Sequence, residues 1–331
     1  MSARSSWTSS SASNCSHRAG AGDARRPAAP SWQVTEKHME QVEGTSRVDA
    51  VGKNGNVRVQ YRLDVQDGST GVGNGSDTRI GVVVAARATG ESPTRTTIID
   101  LAMRRFRFDR TGVVTHVDRV YRWYEDPGVA IPPDVAAVTG LTDADVAGRG
   151  IKDEVAVRLL RSACIVISHR AAADRPRIER RLEGVGDLAW ACSMTQIDWR
   201  SNGFDGVELG HLLRQAGWFH EGRGAGADVD AVIQLLRHRF DDRTALTILI
   251  KAATQPSWMV RAVGAAFDVK DMLKERGYRW DLDRRVWWRE VSDDARIAEE
   301  LWLAANVYAV PAGARAMGPD IEPITAATRF L

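Results

Sequence analysis

Hydrophobic and polar positions divide the chain into stretches of different character. Through the first 35 residues, "MSARSSWTSSSASNCSHRAGAGDARRPAAPSWQVT", Ser, Ala and Arg dominate and large apolar side chains are scarce. Such a stretch buries too little to offset its ordering entropy and is expected to be disordered. The same composition fits an organelle transit peptide, but it lacks a clear amphipathic period, so disorder is the better reading. Residues 57–65, "VRVQYRLDV", alternate like a strand, yet the glycine-rich "QDGSTGVGNGSD" follows at once and isolates them. A domain boundary is therefore placed near Asp77, with 1–77 a largely disordered N-terminal segment.

From Thr78 onward strand and helix periods alternate. Apolar runs at 81–85, 97–108 and 113–121 predict strands, the last two joined in a hairpin by "DRTG". In "EDPGVAIPPDVAAVTGLTDADVAG" (125–148) two short helices are predicted. Pro132-Pro133-Asp134 opens the first, Thr142 with Asp145 caps the second, and Gly140 separates them. An amphipathic helix over 152–162, a buried strand over 163–168 and helices in "DRPRIERRLEG", "HLLRQAG" and "DVDAVIQLLRHRF" follow. This order predicts an α/β domain over 78–241, a mixed sheet flanked by helices.

Residues 242–331 are read as a small α+β accessory module. "FDVKDMLKERG" is an amphipathic helix ending at Gly277, and "GYRWDLDRRVWWRE" is a hairpin around Asp281 to Asp283. Its Tyr278, Trp280, Trp287 and Trp288 are interleaved with Arg279, Arg284, Arg285 and Arg289. That mixture suits stacking on single-stranded bases and gripping phosphates, and it equally suits the core of a small module.

Composition then narrows the function classes. With 331 residues, 44% of them apolar, the chain is long enough for one large domain and an appendage. Its 45 basic and 43 acidic residues give a net charge of +2, too balanced to argue alone for nucleic acid. Cys15, Cys164 and Cys192 form no C-x-x-C pair and are odd in number, so neither a disulfide framework nor a zinc site is supported. A reducing cytosol is the default location. No apolar run approaches the roughly 18 residues that span a bilayer, so a soluble cytoplasmic protein is expected.

The candidate chemistry begins at "GVVVAARATGESPTRTTIIDLAM" (81–103), where a strand runs into Thr89-Gly90 and a second strand follows. Further segments match in order: "IIDLAMRRFRFD", "EDPGVAIPPDVAAVTGLTDADVAG", "VISHRAAADRPRIERRL", "WACSMTQIDW" and "GADVDAVIQLL". Together they resemble the DEDD superfamily of 3′-to-5′ exonucleases, in its proofreading-type, ribonuclease-H-like branch. The resemblance implies a ribonuclease-H-like fold, two divalent metals (Mg2+ or Mn2+) held by four carboxylates, a histidine general base, and single-stranded DNA or RNA 3′ ends as partners.

Residue by residue, the implied site is incomplete. The first motif, D-x-E-T-T-G in the family, falls on Ala85 through Gly90, so both carboxylate positions, Ala85 and Arg87, have lost their acids. The second, H-N-x-x-F-D, falls on His169 through Asp174 and keeps only the histidine and the acid, with Arg170 in place of the asparagine. The third, H-x-x-x-x-D, falls on Arg223 through Asp228, so the base is an arginine. Asp174 and Asp228 remain as catalytic remnants and as metal ligands that are weak if they act at all. At about 5 Å and an effective dielectric of about 20, one arginine repels a divalent ion by on the order of 6 kcal/mol, so stable metal binding is not expected.

Plainer readings stand beside these. Asp174 and Asp228 could each cap a helix, with Asp230 as rival to the second. Arg87, Arg170 and Arg223 could pair with the two acids or, with Thr89 and Gly90, line a nucleic-acid site. His169 and His220 read as lone structural histidines. Glu91 and Asp100 are spare acids whose recruitment requires a change of strand register. The reading adopted is an exonuclease-family protein that binds nucleic-acid 3′ ends with hydrolysis weak or lost. The alternatives are an active metal-dependent exonuclease with substitute acids and a non-catalytic protein-interaction module.

Overall fold

The computed structural model describes residues 59–93, 95–220, 222–309 and 318–330. The expectation of disorder over the first 35 residues lies outside these. β1 (Thr78–Ala88), β2 (Ile98–Asp109) and β3 (Val114–Tyr124) pair antiparallel in sequence order, β2 and β3 forming the predicted hairpin. On the other side of β1, β4 (Ile165–Ser168) and β5 (Trp190–Cys192) add in parallel. The order β3-β2-β1-β4-β5 is a mixed, ribonuclease-H-like sheet, as the sequence led us to expect.

Alternation along β1 and β2 distributes side chains to two cores. Val83, Ala85, Ala102 and Phe106 join one, beneath α6 (Ala225–Arg237) and α7 (Ala245–Thr254). Val82, Val84, Leu101 and Met103 join the other, beneath α3 (Asp153–Arg161) and α4 (Ala171–Arg181). Gly81 lies opposite Phe106, and a Cβ there would collide with that ring. The two short helices form as α1 (Pro133–Thr139) and α2 (Asp143–Val146), and α5 (Leu209–Gln215) precedes α6. The expected capping box is present, with Thr142 N–H donating to Asp145 Oδ2 at 2.8 Å.

Contacts cross both boundaries drawn on sequence. Packing against the first domain begins well before Asp77: Gly68–Ser69 joins the sheet on the edge of β3, Tyr61–Arg62 and Trp218–Phe219 form a separate parallel pair, and Val65 is buried in the α6 core. The reason is Arg104, buried within β2, whose guanidinium must be satisfied and donates to Val65 O at 2.7 Å and Asp67 at 2.6 Å. At the other boundary, α7 follows residue 242 yet packs Leu246 and Leu249 into the first domain's core.

A second sheet begins at β6 (Ser257–Ala262), continues after α8 (Lys270–Glu275) with β7 (Arg279–Asp281) and β8 (Val286–Ser292), and ends after α9 (Asp293–Leu303) with β9 (Asp320–Ile324). Its order is β7-β8-β6-β9, antiparallel throughout. The chain after β9 straps both layers. Trp190 N–H donates to Ala326 O, Arg175 donates to Ala327 O and Arg329 O, and Arg329 donates to Ala253 O, Gln255 O, Ser257 Oγ and Glu290. Among the described residues no helix is long and apolar enough to cross a membrane.

Candidate nucleic-acid site

The end of β1, the start of β2 and the first turns of α4 and α6 meet at one edge of the sheet and bring Arg87, Arg170, Asp174 and Asp228 together there. Strand parity turns Ala85 and Arg87 toward α6. From there Arg87 Nη2 donates to Asp228 Oδ2 in the first turn of α6. Burial pushes the Asp228 pKa up, against the opposing charges of Arg87 and His220.

Asp174, on α4, is 6% exposed and accepts the Ser168 hydroxyl from the end of β4. Burial raises its pKa to about 6, opposed by the Ser168 hydrogen bond and then by Arg177, Arg170 and Arg87. One guanidinium, Arg87, thus acts electrostatically on both remaining carboxylates. Neither of them caps a helix. Arg170 is the N-cap of α4, and the Asp174 carboxylate turns to Ser168 instead. Asp230, the rival cap, pairs with Arg104.

The cap of α6 comes from β2. Asp100, wholly buried, accepts Ala225 N–H through Oδ2 at 2.8 Å and holds Arg122 in a two-pronged pair, 2.8 Å on each prong. That hydrogen bond raises the Arg122 pKa. Gly224 is required beside them: its φ is 112°, and a Cβ would collide with Arg122 Nη2 and stand 2.8 Å from Asp100 Oδ2. Contrary to the sequence reading, Asp100 needs no change of register, because it sits directly opposite Arg87. What withholds it from other ligands is Arg122 and the helix N–H.

The Thr89-Gly90 turn is closed by Thr89 N–H to Thr97 O at 2.9 Å and Thr97 N–H to Thr89 Oγ1 at 3.1 Å. It is then clamped from α4. Arg177, 5% exposed, donates to Gly90 O at 3.0 Å and Glu91 O at 2.6 Å, while Arg180 donates to Pro93 O and Thr96 O. Between turn, α1 and α4 opens a cleft of about 170 Å3. Arg87, Arg170 and Arg177 line it against Glu91 and Asp134. The Arg170 guanidinium donates to Glu91 at 3.2 Å, and both of those side chains are exposed. Among the described residues Arg87 Nε has no hydrogen-bond acceptor and is buried.

Other mapped residues lie elsewhere. Arg223 is exposed and does not line the cleft; a Cβ at Gly140 would meet its Cδ at 3.8 Å. His169 is structural, its ring bridging Ser193 Oγ (2.9 Å) and Val207 O (2.8 Å), and burial lowers its pKa. His220 is the histidine near the third-motif acid, three residues before the mapped base position. Its Nδ1 donates to Gly222 O at 2.9 Å. Sequence mapping passed over His220 because fixed motif spacing assumes a loop of fixed length. It also passed over Arg177, although the basic run "RPRIERR" marked the helix.

The residues present do not fit a two-metal centre. The first-motif positions carry no carboxylate, Asp228 already holds a guanidinium, and Asp100 holds another. Among the described residues no group of three or more His, Cys, Asp or Glu side chains is placed to hold a metal ion.

The sequence matches no family model and no curated protein. Among solved structures, Exonuclease X in complex with 5′-overhanging duplex DNA aligns with 50% of this chain and 99% of its own, at 15% identity and a TM-score of 0.36. The zinc-bound E. coli Exonuclease I complex with single-stranded DNA aligns with 76% of this chain and 64% of its own, at 14% identity and a TM-score of 0.43. A further Exonuclease I structure aligns at 16% identity and a TM-score of 0.42, over 76% of this chain and 63% of its own. The chain therefore spans less than two thirds of Exonuclease I.

Proposed function

We propose that this chain is a DEDD-type exonuclease homologue that binds 3′ ends of single-stranded DNA or RNA and does not hydrolyse them. The observation that carries the reading is the Arg87–Asp228 ion pair, which joins the second carboxylate position of the first motif to the acid of the third. In a two-metal enzyme the cations activate water and stabilise the leaving oxygen. A guanidinium neutralises the carboxylates but cannot ionise a bound water, so the site keeps an affinity for phosphate and loses the nucleophile. The Arg87 side chain is 33% exposed and lines the cleft, where its guanidinium faces an incoming phosphate. Arg170 and Arg177 add charge on the opposite wall of the cleft.

A fluorescent single-stranded oligonucleotide titrated in EDTA tests the binding half. The expected outcome is binding that weakens as salt rises, because counterion release drives it, and that drops on Arg87→Ala. A 3′-labelled strand incubated with magnesium tests the other half, with no mononucleotide released. The reading fails if magnesium brings degradation that Asp174→Ala abolishes.

A further inference from the structure

Cross-strand pairing in the second sheet sets Trp280 opposite Trp287, so both lie on one face, while Trp288, opposite Arg279, lies on the other. The two indoles meet edge to face, their centroids 5.3 Å apart. Trp280 remains 44% exposed, and Phe267, in the turn leading into α8, is 76% exposed. Between Phe267, Trp280 and Trp287 lies an open groove of about 460 Å3, completed by Ala265 and Ala266. The charged side chains lining it are Lys270 and Lys274. Lys270 Nζ stands 4.0 Å from the Phe267 ring centroid and Lys274 Nζ 5.9 Å from that of Trp287.

Aromatic faces left open to water gain most from a flat, apolar-faced partner, and ammonium groups at their rim call for an anion. Single-stranded nucleic acid offers both along one backbone. No lining side chain can accept a hydrogen bond from a 2′-hydroxyl, so a ribose would be desolvated there without a side-chain partner, whereas a deoxyribose avoids that cost. We infer that this groove binds single-stranded DNA, stacking bases on Trp280, Trp287 and Phe267 while Lys270 and Lys274 contact the phosphates. The site shares no residue with the Arg87 cleft and stands whether or not the cleft binds 3′ ends.

The test uses the full chain, oligodeoxythymidylate, the matching oligouridylate, and an abasic deoxyribose-phosphate strand of the same length. Trp280→Ala and Phe267→Ala alter exposed side chains and leave the fold intact, which circular dichroism checks. Each is expected to weaken oligodeoxythymidylate binding by about ten-fold, the usual loss for one stacked base. Lys270→Gln with Lys274→Gln should flatten its salt dependence. The abasic strand should bind each aromatic variant and the native protein alike. An Arg87→Ala/Arg170→Ala variant, which disables the cleft, should still protect Trp280 from oxidation by N-bromosuccinimide when DNA is added. The inference is overturned if Trp280→Ala and Phe267→Ala bind DNA like the native protein. It is equally overturned if DNA leaves Trp280 unprotected in the cleft variant, which assigns the groove to a protein partner, or if oligouridylate binds the groove as tightly as the DNA.

Discussion

Replacing Asp174 with asparagine is expected to stabilise the protein at neutral pH and to make little difference near pH 4. The carboxyl is buried, and its surroundings are the Ser168 hydroxyl at the end of β4, Arg170 and Arg177 on α4, and Arg87 on β1. Burial outweighs all of them, so its pKa rises from 3.8 to about 6. The folded protein therefore holds a proton that the unfolded chain releases across that window, and stability falls as pH climbs through it, then stays level above about 6. At about 1.4 kcal/mol per pH unit, the carboxylate costs about 3 kcal/mol at pH 7. Asparagine accepts the Ser168 hydroxyl as well and carries no charge to desolvate. Urea unfolding of both proteins, followed by tryptophan fluorescence in EDTA at a series of pH values, reads the difference directly. A gap that grows from near zero at pH 4 to its full size above pH 6 is expected. A gap independent of pH, or an asparagine variant less stable at pH 7, refutes the reasoning.

Ala85→Asp with Arg87→Glu adds two carboxylates beside Asp174 and Asp228 and removes the guanidinium that neutralises them. Manganese should then raise the melting temperature by mass action and support release of mononucleotides from a 3′ end, while either single change does little. A double variant that folds but ignores manganese counts against the motif mapping. Arg329→Met removes donors from Ala253 O and Gln255 O and leaves Glu290 with the Ser257 hydroxyl but without its ion-pair partner. A loss of about 3 kcal/mol in urea unfolding is expected, and a change within about 0.5 kcal/mol shows that the C-terminal strap is not structural.

Features that depend on neighbours in the sequence were legible in it. The hairpin through "DRTG", the Thr142–Asp145 capping box and the Gly140 helix stop rest on turn chemistry and periods of two or 3.6 residues, which act over a few positions. That Ala85 and Arg87 carry no carboxylate was equally plain, because it is a matter of residue identity. The identity of each arginine's partner was not. Arg87 and Asp228 are 141 residues apart and meet only because parity on β1 and the first turn of α6 point both at one end of the sheet. Asp100 was discounted on strand register, and only the observed pairing shows that it faces Arg87 and that Arg122 and Ala225 N–H hold it. The faces of Trp280, Trp287 and Trp288 likewise waited on cross-strand register. A charge acts through space, and chain distance does not reveal which charges the fold brings within reach.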